Sequence, residues 1–253
     1  MMLVQMMMFN GGGGADLPVS SSSPDQKENT GDLINKNEGF IPSKNKESFI
    51  TVSTPLYTAT LTNRSGGSFV EYIIKDEDSG SLKYMGSYGE EGLFHSDLPV
   101  SLIMPSDTNC MPCLAHYDEK NGQYVFINKP YFLINPPPED TIFLDREDSI
   151  ELKFEMREPG GSVLIKKSVL LSGDKYISNH VFNIVADRFD YLGNLEFVWH
   201  GGLRPTEEKE DEDVQYGSGI ISQAGETEDI QIKDVNKGLE RRVYKGQTEW
   251  VAI

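Results

Sequence analysis

The sequence predicts an all-β fold, a large antiparallel sandwich behind a disordered N-terminal linker. Three observations carry this. Side chains alternate with period two along several runs. In Ile150-Glu151-Leu152-Lys153-Phe154-Glu155-Met156 the alternation sets Ile, Leu, Phe and Met on one face and the charged residues on the other. About a dozen short runs rich in β-branched and aromatic residues follow one another, divided by turn signals. Almost no segment carries the 3.6-residue period of a helix, which argues against an α/β architecture.

Taken in order, residues 1–9 read MMLVQMMMF and are almost wholly apolar. As a helix they would cover only ~14 Å of a ~30 Å hydrocarbon core. No basic stretch precedes them, and Gly11-Gly12-Gly13-Gly14 follows in place of a signal cleavage site. Two readings stand: an irregular start to the chain, or the last turns of a membrane helix. Residues 10–48 are rich in Gly, Ser, Asn, Asp and Lys and include Ser20-Ser21-Ser22-Ser23-Pro24. Too few apolar side chains lie there to offset the entropy of ordering, so a disordered linker is expected.

The sandwich domain is expected over 49–253. Its strands are predicted at 49–52, 57–62, 69–74, 100–104, 124–127, 131–134, 141–144, 150–156, 163–171, 176–185, 195–199, 230–232 and 242–244. Asn63-Arg64-Ser65-Gly66-Gly67, Asn121-Gly122, Pro136-Pro137-Pro138 and Gly173-Asp174 supply turns. Arg157-Glu158-Pro159-Gly160-Gly161-Ser162 between two strands predicts a hairpin. No repeat of fixed period appears. The acidic run 207–213 predicts a solvated loop, since it lacks the spacing of a calcium loop.

The chain's 253 residues, 38% hydrophobic and 25% charged, suffice for a packed core. Its 23 Lys and Arg stand against 40 Asp and Glu, a net charge of −17. That excludes a nucleic-acid backbone binder and a polybasic membrane-surface binder, both of which need clustered cations. No run of about 18 apolar residues is present to span a bilayer.

Chemistry-bearing residues are sparse. Cys110-Met111-Pro112-Cys113, with His116 just beyond, has the spacing of a redox or zinc motif. Its flanks read as polar loop, so the helix N-terminus that would activate a thiol is missing, and no second cysteine pair completes a zinc site. A local disulfide or two idle thiols is the expectation. His95, His116, His180 and His200 are scattered and form no Ser–His–Asp order. Trp199-His200-Gly201-Gly202 marks a strand end where a site could sit. No catalytic residue, cofactor-binding residue or metal ligand is assigned, and no cofactor is expected.

Three segments carry a family resemblance. They are Thr58-Ala59-Thr60-Leu61-Thr62-Asn63-Arg64-Ser65-Gly66-Gly67 with the apolar strand 69–75, Lys166-Lys167-Ser168-Val169-Leu170-Leu171-Ser172-Gly173-Asp174-Lys175-Tyr176 with 177–185, and Tyr244-Lys245-Gly246-Gln247-Thr248-Glu249-Trp250-Val251-Ala252-Ile253. Together they resemble the opening hairpin, the long central strand and the C-terminal helical lead-in of the periplasmic domain of YidC, the bacterial membrane protein insertase. The resemblance covers about 49–253. It implies a β-supersandwich like that of galactose mutarotase, on the periplasmic side of the bacterial inner membrane. It makes residues 1–9 the stub of a membrane helix. The implied partners are the Sec translocon, SecDF and nascent membrane proteins. The implied role is assisting membrane-protein insertion without catalysis, because the membrane helices that carry the family's substrate groove are not in this chain. The rival reading is a mutarotase-like sandwich that binds or acts on carbohydrate. That requires a His and a carboxylate converging in a cleft with stacking aromatics.

Overall fold

The structure is a computed structural model that describes residues 3–8, 46–89, 93–104, 108–118, 120–185, 195–200, 204, 218–223, 225–231 and 248–252. Residues 10–45 of the predicted linker, the acidic run 207–213 and the predicted strand 242–244 lie outside the described residues. The described residues form strands, turns and loops, with no helix among them. None of them forms a helix long and apolar enough to cross a membrane.

The strands are numbered β1 to β17 along the chain. The largest sheet has eight, in the order β16 (Glu226–Gln231), β15 (Ser218–Gln223), β17 (Thr248–Ala252), β1 (Leu3–Met8), β13 (Ser178–Ile184), β12 (Val163–Ser172), β11 (Ser149–Arg157) and β9 (Phe132–Ile134). A second sheet runs β10 (Thr141–Phe143), β2 (Phe49–Ser53), β3 (Tyr57–Thr62), β4 (Ser68–Ile74). Two smaller ones run β14 (Leu195–Val198), β7 (Cys113–Asp118), β8 (Gln123–Phe126), and β5 (Met85–Tyr88), β6 (Phe94–Pro99). Pairing is antiparallel except for β1 with β13 and β10 with β2. The all-β, mainly antiparallel architecture is the one the alternation predicts.

The core lies between the inner faces of the first two sheets. Across the large sheet the register sets Phe154, Lys167 and Phe182 in one row and Leu152, Val169 and His180 in the next. Facing them are Ile50, Val52, Tyr57, Ala59, Leu61, Phe69 and Tyr72, all buried. Two tyrosines cross between the layers. The Tyr57 hydroxyl donates to the Ser172 carbonyl at 3.1 Å and that of Tyr72 to the Tyr176 carbonyl at 3.3 Å. Burial pushes the Tyr57 pKa up to about 12. The predicted hairpin at 157–162 closes β11 onto β12, with Gly161 at φ 88°.

Several expectations change. Of the two readings of residues 1–9, the membrane-helix stub that the resemblance implies is not what forms, since Leu3–Met8 is a strand paired on both sides. A short apolar run fits a buried strand as well as a helix, and periodicity cannot separate the two. The helical lead-in implied at the third resemblance segment is likewise a strand, Thr248–Ala252, where β-branched Val251 and aromatic Trp250 suit a pleated surface. The folded body begins before Phe49. Asn63 Nδ2 donates to the Lys46 carbonyl at 3.1 Å, Ser48 N–H donates to Asn63 Oδ1 at 3.0 Å, and Arg64 pairs with Glu47 at 2.9 Å. The predicted strand 100–104 reduces to bridges, such as Ser101 to Ile73, between Pro99 and Pro105.

Candidate functional site

The most concentrated polar arrangement is buried. It begins at the turn between β3 and β4, where Ser65, Gly66 and Gly67 have φ of 54°, 70° and 88°. This left-handed path aims the Ser65 and Gly67 carbonyls into the core. Gly67 also answers a close approach, because a Cβ there would stand 2.7 Å from the Phe154 ring. Lys167 is 1% exposed, and its Nζ donates to the carbonyls of Ser65 at 3.0 Å, Gly67 at 3.3 Å and Pro112 at 2.9 Å. The Phe182 ring lies 4.8 Å from the same ammonium.

The third carbonyl comes from the Cys110–Cys113 loop, which is closed by a disulfide. The loop is docked on the turn. Phe69 N–H donates to the Met111 carbonyl at 2.8 Å, Ser65 Oγ to the Asn109 carbonyl at 2.7 Å, and Met111 N–H to Ser68 Oγ. The flanks are not polar loop as expected, since β7 starts at Cys113 and buries Leu114 and Ala115. Of the two expected states of the cysteines, the structure holds the local disulfide. Replacing both by Ser is expected to leave a folded chain about 2 kcal/mol less stable, since so short a loop constrains the unfolded state little. An unchanged urea midpoint would mean that the bond is idle.

Beside Lys167 stand Ser178 and His180, both buried, with Oγ and Nε2 3.1 Å apart. Burial holds the His180 pKa well below 6.5, and the nearby Lys167 adds to this. Burial also pushes the Lys167 pKa well down. Among the described residues no carboxylate pairs with Lys167, and His180 Nδ1 has no hydrogen-bond partner. Both residues belong to β13, two positions apart, so the contact lies along one strand and is enclosed in the core. Below pH 6.5 the unfolded chain takes a proton that folded His180 refuses. Stability is therefore expected to fall by up to about 1.4 kcal/mol per pH unit on acidification, more steeply than in His180→Asn. Parallel pH profiles of the two proteins would remove His180 from this account.

The other singled-out residues do not converge on this centre. His95 lies on β6 and His116 on β7, while His200 is exposed, with Nδ1 3.0 Å from Thr108 Oγ1. No group of three or more His, Cys, Asp or Glu is placed to hold a metal among the described residues.

A second feature lies on one surface of the β14-β7-β8 sheet. Tyr117 and Tyr124 meet edge to face at 5.3 Å, Tyr124 and Phe126 stack at 6.5 Å, and His200 stands 4.9 Å from Phe126. The Tyr124 hydroxyl donates to Glu196 Oε2 at 2.8 Å. Sequence reading passed over this row. Its signal was the two-residue spacing of Tyr124 and Phe126, but Tyr117 joins them only through the β7–β8 register. No protein-family model matches the chain, and no curated protein matches it.

Proposed function

We propose that the chain is the non-catalytic periplasmic domain of a YidC-type membrane protein insertase. On this reading it sits at the outer face of the bacterial inner membrane and contacts the Sec translocon, SecDF or emerging membrane-protein segments. One observation carries the reading. Ser65 and Gly67 of the first resemblance segment meet Lys167 of the second in a single buried contact. The residues that look like the family's are therefore those that build the centre of the sandwich. A disulfide at Cys110–Cys113 suits an oxidising compartment such as the periplasm. The third segment lends less, because Thr248–Ala252 is a strand where the family implies a helical lead-in.

Photo-crosslinking tests the proposal. In cells expressing the native gene, a crosslinker at Tyr117 or at Phe143, which is 76% exposed, should capture a translocon subunit, SecDF or a nascent membrane protein. Recovery of the chain in the cytosol, or membranes that yield no such adduct from either position, would sink it. The aromatic row with Glu196 and His200 favours one alternative, a carbohydrate-binding sandwich. That reading predicts galactose binding which is lost in Tyr124→Ala.

A further inference from the structure

The eight-stranded sheet is completed by a strand that is remote in sequence. β1 lies between β13 and β17, parallel to the first and antiparallel to the second. Residues 9–48 separate it along the chain from β2, and Gly11-Gly12-Gly13-Gly14 follows it closely. Without β1 the sheet divides into β16-β15-β17 and β13-β12-β11-β9, with a gap one strand wide between two main-chain edges.

The register defines what fits the gap. Val4, Met6 and Met8 pair in register with Ser178, His180 and Phe182, three residues of β13 that are buried. Gln5 and Met7 stand at Asn179 and Val181, the latter 37% exposed. The slot therefore takes an extended backbone with apolar residues at alternate positions. The ladder bonds come from the main chain and do not depend on side-chain identity.

We propose that the cleft between β13 and β17 is a strand-acceptor site for an extended apolar segment of another polypeptide, and that Leu3–Met8 is its intramolecular occupant. The occupant's own sequence states the chemistry of the guest: apolar, without charge and without proline. A tethered occupant competes at a millimolar effective concentration, so the site opens to a guest only when β1 is displaced or outcompeted. The proposal rests on the sheet pairing and stands or falls apart from the insertase reading.

The test uses the full chain and a dye-labelled LVQMMM peptide with flanking lysines for solubility. Met6→Pro removes a ladder donor from the middle of a central strand and should unseat it. Fluorescence anisotropy should show this variant binding the peptide at least tenfold more tightly than the unaltered chain. A peptide with proline at the position of Met6 should not bind. Hydrogen exchange at Val181 and Val251 should quicken in the variant and slow again with peptide. A second variant keeps the test open if Met6→Pro fails to fold. Leu3 and Ala252 are register partners, so Leu3→Cys with Ala252→Cys should lock β1 in place. Peptide uptake by the locked chain should fall at least tenfold below that of the unaltered chain. Equal uptake by locked and unaltered chains, equal binding of both peptides, or dimer formation without peptide uptake would each overturn the proposal.

Discussion

Phe154→Ala is expected to lower the unfolding free energy by about 3–5 kcal/mol, the range for emptying a filled aromatic site. Phe154 is 1% exposed in the middle of β11, between Leu133 of β9 and Lys167 of β12 in the register. Its ring lies against Gly67, where no side chain can enter. Truncation would leave a void bounded by a constrained turn, which limits relaxation. The neighbouring Glu155 points outward, but its side chain is only 16% exposed and lies 2.5 Å from Arg157 and 3.9 Å from Lys166. Its truncation is expected to cost no more than about 1 kcal/mol, the upper range of a partly exposed ion pair. Urea denaturation of the two variants separates the faces of the strand. Equal losses would mean that the β11 register is wrong. Gly67→Ala should also destabilise, and part of that cost should vanish in the Phe154→Ala background, because the two sites touch.

The same strand marks what the sequence made legible. Leu152, Phe154 and Met156 alternate with charged residues, and the structure buries all three, while Ile150 packs at the margin of the core. Turn glycines were legible too, because only a backbone free to adopt positive φ follows the path from Ser65 to Gly67. Strand neighbours were not. β1 and β17 carry apolar runs too short to declare a period, and only pairing with distant strands decides their form. β7 was hidden because a Cys-Pro loop precedes it and its buried half, Cys113, Leu114 and Ala115, does not alternate. The polar centre was half legible. Ile165, Val169 and Leu171 fix the inner face of β12, and the period then puts Lys167 inside and Lys166 outside. The sequence alone does not announce a buried lysine here, because one is rare without partners and its partners are main-chain carbonyls from remote loops.

Lys167→Met should therefore cost about 3–5 kcal/mol, although it swaps a buried charge for an apolar side chain of similar length. Two effects oppose each other. Removing the ammonium relieves its desolvation, which for an isolated apolar site would stabilise the fold. It also strands the carbonyls of Ser65, Gly67 and Pro112, each worth roughly 1–3 kcal/mol when buried without a donor. A methionine supplies no donor to this site, where Lys167 is 1% exposed between Phe154 and Phe182 in the register, so the second effect should win. The loss should be local before it is global. Hydrogen exchange at Gly66 and Phe69 should quicken in the variant, because the ammonium joins the turn to the Cys110–Cys113 loop alongside the direct bonds between them. The pH dependence supplies an independent check. Burial pushes the Lys167 pKa below 10.5, so between the folded value and 10.5 the unfolded chain holds a proton that the folded chain does not. Raising pH through that window stabilises the unaltered protein and leaves Lys167→Met without the gain, so the gap between them should widen toward alkaline pH. A methionine variant as stable as the unaltered chain, or a gap that narrows as pH rises, would show that the carbonyl cradle does not hold the two loops together.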